Sequence, residues 1–264
     1  MLKYRIASAV ILIPIVLGSV YFGGLGFFAV VTLALLIAGY EFFDLARRVG
    51  HRPIPALGLA LIVLFLFNAY ARAGWELEIL TVALVGSLVL AIFWREDDWI
   101  ASWALTFAGA LYVGWLGAYT IRVRELPNGL IWAVLALVTI WATDTGAYFV
   151  GTRLGRHGFF TAISPKKTWE GAIGGWVAAT LVMLVLGSLF AGLEPVKALL
   201  FGFGLSIAAT FGDLAESLLK RQTGVKDSGN LVPGHGGLLD RIDSLLFGAA
   251  FAYYYLVWVL RVMN

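Results

Sequence analysis

The 264-residue chain is predicted to be an all-α protein that crosses a membrane many times, and three observations carry that prediction. Hydrophobic residues make up 61% of the chain and charged residues only 13%, a balance too apolar for a soluble domain. The apolar runs are long and do not alternate with polar residues, so their period is helical rather than stranded. A hydrocarbon layer about 30 Å thick takes roughly 20 helical residues to cross, and a backbone in lipid must satisfy its own hydrogen bonds.

About nine spans follow, near Ile6–Phe22, Phe27–Phe43, Ile54–Ala71, Leu77–Trp94, Ile100–Ile121, Leu130–Val150, Gly171–Leu193, Ala198–Leu219 and Leu238–Leu260. Lys3 and Arg5 precede the first run, but no small-x-small cleavage site follows it, so a retained first helix is expected. With a cytoplasmic N-terminus, 14 Lys and Arg fall on the cytoplasmic side and 5 on the other. This orientation puts the two long polar segments, Gly151–Glu170 and Gly212–Asp243, in the cytoplasm, where nucleotides are available. One membrane domain over residues 1–264 is expected, residues 1–122 carrying no motif and 129–264 carrying the charged segments. There is no cysteine, which excludes disulfides, thiolate zinc sites and Cys nucleophiles. A net charge of +3 with basic loops fits anionic lipid and an anionic substrate, and nucleic acid is not an expected partner.

Charge is concentrated where the chain leaves the bilayer, 14 of its 35 charged residues lying in those two segments. Asp213, Glu216 and Lys220 share one helical face. Such a face either presents two carboxylates to a ligand or is an ordinary interfacial helix end with a Glu216–Lys220 pair worth about 0.3–0.5 kcal/mol. Asp240 and Asp243 open the last span, where a helix dipole alone favours one carboxylate. Two of them together with Asp213 point to a hard cation, Mg²⁺, with room for a second metal or a monovalent cation. Pro233-Gly234-His235-Gly236-Gly237 is either an anion-binding nest or a plain loop, with His235 a proton carrier or a hydrogen-bond donor. Ser164 before Pro165 reads as an N-cap, and Lys166 and Lys167 beside it bind either a phosphate or lipid headgroups. Asp144, inside the sixth apolar run, calls for a polar cavity or a basic partner. His51 and His157 lie in basic loops and read as solvated, and Trp75, Trp94 and Trp99 read as interfacial belts.

The series Ser217-L-L-Lys220-Arg221, Lys226-Asp227, Pro233-x-His235-Gly236-Gly237, Asp240-Arg241-x-Asp243 resembles the signature of the phosphatidate cytidylyltransferase, or CDP-diacylglycerol synthase, family. Asp144-x-x-Ala147-Tyr148 and Ser164-Pro165-Lys166-Lys167-Thr168-x-Glu170-Gly171 are similar to that family's other polar segments, so the resemblance covers roughly the last half of the chain. It implies a multi-pass enzyme of the cell membrane, usually a homodimer, that uses Mg²⁺ to join CTP to phosphatidate on the cytoplasmic side. On that basis Asp213, Asp240 and Asp243 are expected to hold metal. Asp243, Lys226, Arg241, His235 and Asp144 are expected in the catalytic machinery, and Ser164, Lys166, Lys167, Lys220, Arg221, Gly236 and Gly237 at the substrates. The competing readings are a CTP-using kinase of a polyprenol or phytol, which the same charges would serve, and a transporter. Charge gathered at one membrane face argues against a through-path. The D-G-x-x-A-R pattern of the CDP-alcohol phosphotransferases is absent.

Overall fold

A computed structural model describes residues 2–93, 98–229, 231 and 236–262, with side chains from residue 10 onward. Among the described residues the protein is all-α. Its ten helices are α1 (Leu2–Phe22), α2 (Gly24–Arg48), α3 (Pro55–Ala71), α4 (Glu76–Phe93), α5 (Trp99–Gly109), α6 (Leu116–Glu125), α7 (Gly129–Leu154), α8 (Trp169–Ala191), α9 (Pro195–Gln222) and α10 (Leu239–Tyr254). Extended pairing among these residues is limited to one antiparallel bridge, between Gly158 and Thr168.

Every expected apolar run lies on a helix. Among the described residues seven helices are long and apolar enough to cross a membrane, counting Trp99–Glu125 as one because a π-helical turn, Ala110–Trp115, carries α5 into α6 without a break. The apolar stretches Val10–Phe22 and Pro55–Ala71 are shorter. Another π turn, Tyr255–Val259, prolongs α10. The protein is therefore a polytopic membrane protein.

The described chain packs as two compact units, residues 1–122 with 223–240 and residues 123–222 with 241–264. In the first, α2 and α3 pack on each other and on the π turn around Phe43, Ile62, Phe65, Leu66 and Val113, all at most 2% exposed. Pro55 in the first turn of α3 costs no hydrogen bond, since the amide it removes would have had no helical partner. In the second unit α8 is flanked by α7 and α9. Gly146 and Gly175 let α7 and α8 approach closely, for a Cβ on either would meet backbone atoms of the other helix. Phe201 stacks on Tyr255 at 4.7 Å between ring centres, and the Tyr255 hydroxyl donates to the Lys197 carbonyl at 2.8 Å, joining α9 to the end of α10.

The start of α8 differs from the expected one. Ser164 is not an N-cap: its carbonyl accepts from Lys167 N at 3.1 Å, making a turn with Pro165 inside it. The cap is Thr168, whose hydroxyl oxygen accepts from Gly171 N at 3.1 Å, with Glu170 in the first turn. Proline favours a turn as readily as a helix start, and the better-placed hydroxyl four residues later decides between them.

Candidate active site

The second unit gathers most of the predicted site residues. The loop from Gly155 to Thr168 is seated by Phe159, which is 2% exposed and packs with Ala172, Leu214, Ile163 and Trp176. Two polar contacts tie this loop to the end of α9. Arg221 Nε donates to the Ile163 carbonyl at 3.0 Å, and Lys167 Nζ pairs with Asp213 Oδ2 at 2.9 Å. Both side chains are about a third exposed or less, and the Lys167 ammonium itself is buried within the pair. Asp213 Oδ1 also accepts from the Ser217 hydroxyl at 3.2 Å, one turn further along α9. Glu216, fully buried on the same helix, pairs with Lys220. The helical face predicted from sequence is thus real. Its two carboxylates do different work: Glu216 is spent on Lys220, while Asp213 faces Lys167.

Asp144 on α7 and Asp243 on α10 complete the cluster. Asp144 feels the charges of Asp213, Lys167 and Arg241, and Asp243 those of Asp213, Asp144 and Lys220. Asp243 is 9% exposed, and its Oδ1 accepts from Ser244 N at 2.6 Å. Three carboxylates within range of one another in an apolar protein repel, and only cations relieve that repulsion. Lys167, Lys220 and Arg241 supply part of the positive charge. Oxygen donors alone, in a chain without cysteine, fit a hard divalent cation such as Mg²⁺. The described Asp, Glu and His residues form no group of three already drawn together around a cation position.

The segment 223–240 belongs to the first unit and is organised differently. Asp240 turns back on its own loop: its Oδ2 accepts from Ser228 N at 2.9 Å, Ser228 Oγ at 3.0 Å and Gly237 N at 2.8 Å. Glu41, from α2, accepts from Leu238 N at 3.0 Å through Oε1 and from Leu239 N at 2.8 Å and Ser228 Oγ at 3.2 Å through Oε2. Backbone amides that a nest would aim at a phosphate are here taken by the protein's own carboxylates. Gly236 has a φ of +85°, and Gly237 N is one of those amides. Lys226 and Asp227 in the same segment are exposed, as are Arg241, Arg221 and Lys166 on theirs. His235, with Pro233 and Gly234, lies outside the described residues.

The sequence reading missed Glu41 entirely. Its signal was available, because an acidic residue followed by Phe42 and Phe43 inside an apolar run needs a buried partner by the argument applied to Asp144. His157, read as solvated, is largely exposed and also places Nδ1 2.6 Å from Glu170 Oε1. His51 sits equally close to Asp98 and is only about a third exposed.

A family model described as the cytidylyltransferase family matches residues 3–259. A phosphatidate cytidylyltransferase of Synechocystis is 34% identical over 291 aligned positions, covering 98% of each chain. Proteins of the same name from Bacillus subtilis and Pseudomonas aeruginosa are 36% and 37% identical, covering 97% and 93% of each chain.

Proposed function

The chain belongs to the cytidylyltransferase family, and we infer from that premise that it is a phosphatidate cytidylyltransferase, an enzyme that converts CTP and phosphatidate to CDP-diacylglycerol and pyrophosphate. The observation that carries the inference is the near full-length similarity to relatives of that name. The charge cluster of the second unit suits the chemistry.

In the reaction, an oxygen of the phosphatidate phosphate attacks the α-phosphorus of CTP. The bond from that phosphorus to the oxygen bridging toward the β-phosphate breaks, and its electron pair leaves with pyrophosphate. The attacking oxygen is already anionic at neutral pH, so no strong general base is required. The obstacle is charge, since two polyanions must meet. Lys167, Lys166, Lys220, Arg221 and Arg241, all of the second unit, bind the phosphates. Lys167 is poised for this role, because a phosphate competes with Asp213 for its ammonium. Mg²⁺ held by Asp213 and Asp243, with Asp144 adding negative charge, would neutralise the nucleotide phosphates and the pyrophosphate. Asp240, expected as a third metal ligand, is assigned to ordering its loop, since one of its oxygens already serves three donors.

The bias of Lys and Arg supports a cell-membrane protein with its N-terminus and active site on the cytoplasmic side, where the lipid enters laterally with its tails in the bilayer. A homodimer is the working assembly by analogy with the family. The test is direct: purified protein in detergent receives phosphatidate, Mg²⁺ and CTP labelled at its α-phosphate, and the lipid is extracted. Label in the lipid is expected. Label confined to water-soluble nucleotide, with the protein folded, overturns the reading and favours the lipid-kinase alternative.

A further inference from the structure

We propose that Glu41 is a positioning residue for this reaction: from the second helix it fixes the start of α10, and so the aim of the charged residues in the first turns of that helix. The proposal rests on the cytidylyltransferase reading and names a residue in the part of the chain where no motif was found.

Glu41 is 7% exposed on an apolar helix, a setting in which a carboxylate is costly unless its oxygens are satisfied. Both are. The first amides of any helix have no partner within it, and they are usually capped by a hydroxyl or carboxylate a few residues away in sequence. In α10 a distant residue does this: Glu41, separated from Leu238 and Leu239 by 197 and 198 positions, takes their two amides, while Asp240 takes Gly237 N just before the helix. Ser228, 1% exposed, lies within hydrogen-bond distance of both carboxylates and ties the preceding loop into the same knot.

The surrounding glycines fit the carboxylate of Glu41 closely. A Cβ at Gly237 would come within 3.0 Å of Ser228 Oγ and of both Glu41 oxygens, and one at Gly229 would meet Glu41 Oε1 equally closely. These two positions accept no side chain while Glu41 is in place, which gives the glycines of this segment a reason other than approach to a phosphate. A local cap would fix only the direction in which α10 begins. A cap from α2 also fixes where it begins relative to the helices of the first unit. Arg241 and Asp243 follow within four residues of Leu239, so a shift of its start moves them, and a misplacement of about 1 Å costs on the order of a hundredfold in rate.

The test compares wild type with Glu41→Gln, Glu41→Ala and Gly237→Ala, using label transfer for turnover and KM, thermal unfolding in detergent, and amide hydrogen exchange. In Glu41→Gln, kcat is expected to fall about tenfold or more while the KM for CTP stays within about threefold. Exchange at Leu238 and Leu239 is expected to rise about tenfold, with peptides elsewhere in α1–α5 unchanged. Gly237→Ala, which displaces the same carboxylate, should give the same signature, and the double variant should be no slower than the slower single one. If Glu41→Ala fails to fold, the other two variants carry the test. A kcat within threefold of wild type, or faster exchange spread through the whole first unit, overturns the proposal. Wild type that transfers label beside an undiminished Glu41→Gln overturns it alone, whereas wild type that transfers none overturns the functional reading beneath it.

Discussion

Two groups of carboxylates, one in each unit of the molecule, are held in opposite ways. In the second, Asp213 faces a lysine, and Asp144 and Asp243 lie within reach of Lys167, Lys220 and Arg241. In the first, Glu41 and Asp240 are satisfied by backbone amides and one hydroxyl. The difference matters because an ion pair at partial exposure can be opened by an incoming phosphate at little cost, whereas buried bonds to neutral amides cannot be exchanged without unfolding the segment that bears them. On the proposed reading, one region meets ligands and the other holds the chain still.

The comparison breaks most visibly if the charged cluster turns out to be structural. Asp243→Asn and Asp213→Asn are expected to lower turnover about a hundredfold or more, equivalent to about 2.7 kcal/mol, while leaving the melting temperature nearly unchanged. Turnover within tenfold of wild type would remove these carboxylates from the reaction. Lys167→Ala should come next: about a tenfold loss of kcat/KM for CTP, with a smaller fall in stability than losing a fully buried bridge would bring, because both side chains keep some exposure. A large drop in melting temperature instead would make the Lys167–Asp213 bridge a fold determinant.

The smallest effect should come from the first unit. Ser228→Ala removes a buried hydroxyl between two carboxylates and is expected to cost about 1 kcal/mol of stability, read in thermal unfolding. Turnover should stay within about threefold, because the amide bonds of Leu238 and Leu239 to Glu41 remain. A loss of turnover as large as that of Asp243→Asn would show that the two regions do not divide the work as described.

Much of the second unit was legible in the sequence. Asp213, Lys220, Asp243 and Lys167 stand out in the sequence because charge inside an apolar chain is expensive and needs a use, and the spacing of Asp213 and Glu216 puts them on one helical face. Ser164 was misread because a Ser-Pro step begins turns and helices alike. The partners of Asp240 and Gly237 are illegible in the sequence for a deeper reason. A carboxylate that binds backbone amides leaves no pattern in side-chain identity, so the bonds from Ser228 and Gly237 to Asp240 are seen only in the fold.

By itself the sequence determined the helical, membrane-crossing character of the chain, because apolar runs of span length leave the backbone no other way to satisfy its hydrogen bonds in lipid. It also displays the oxygen donors and cations on which the proposed chemistry draws, since these are side-chain properties that a string of residues shows. Only the tertiary structure decided which carboxylate meets which donor. Glu41 and Leu239 are 198 positions apart, and their contact depends on helix packing and on an amide that every residue but proline carries.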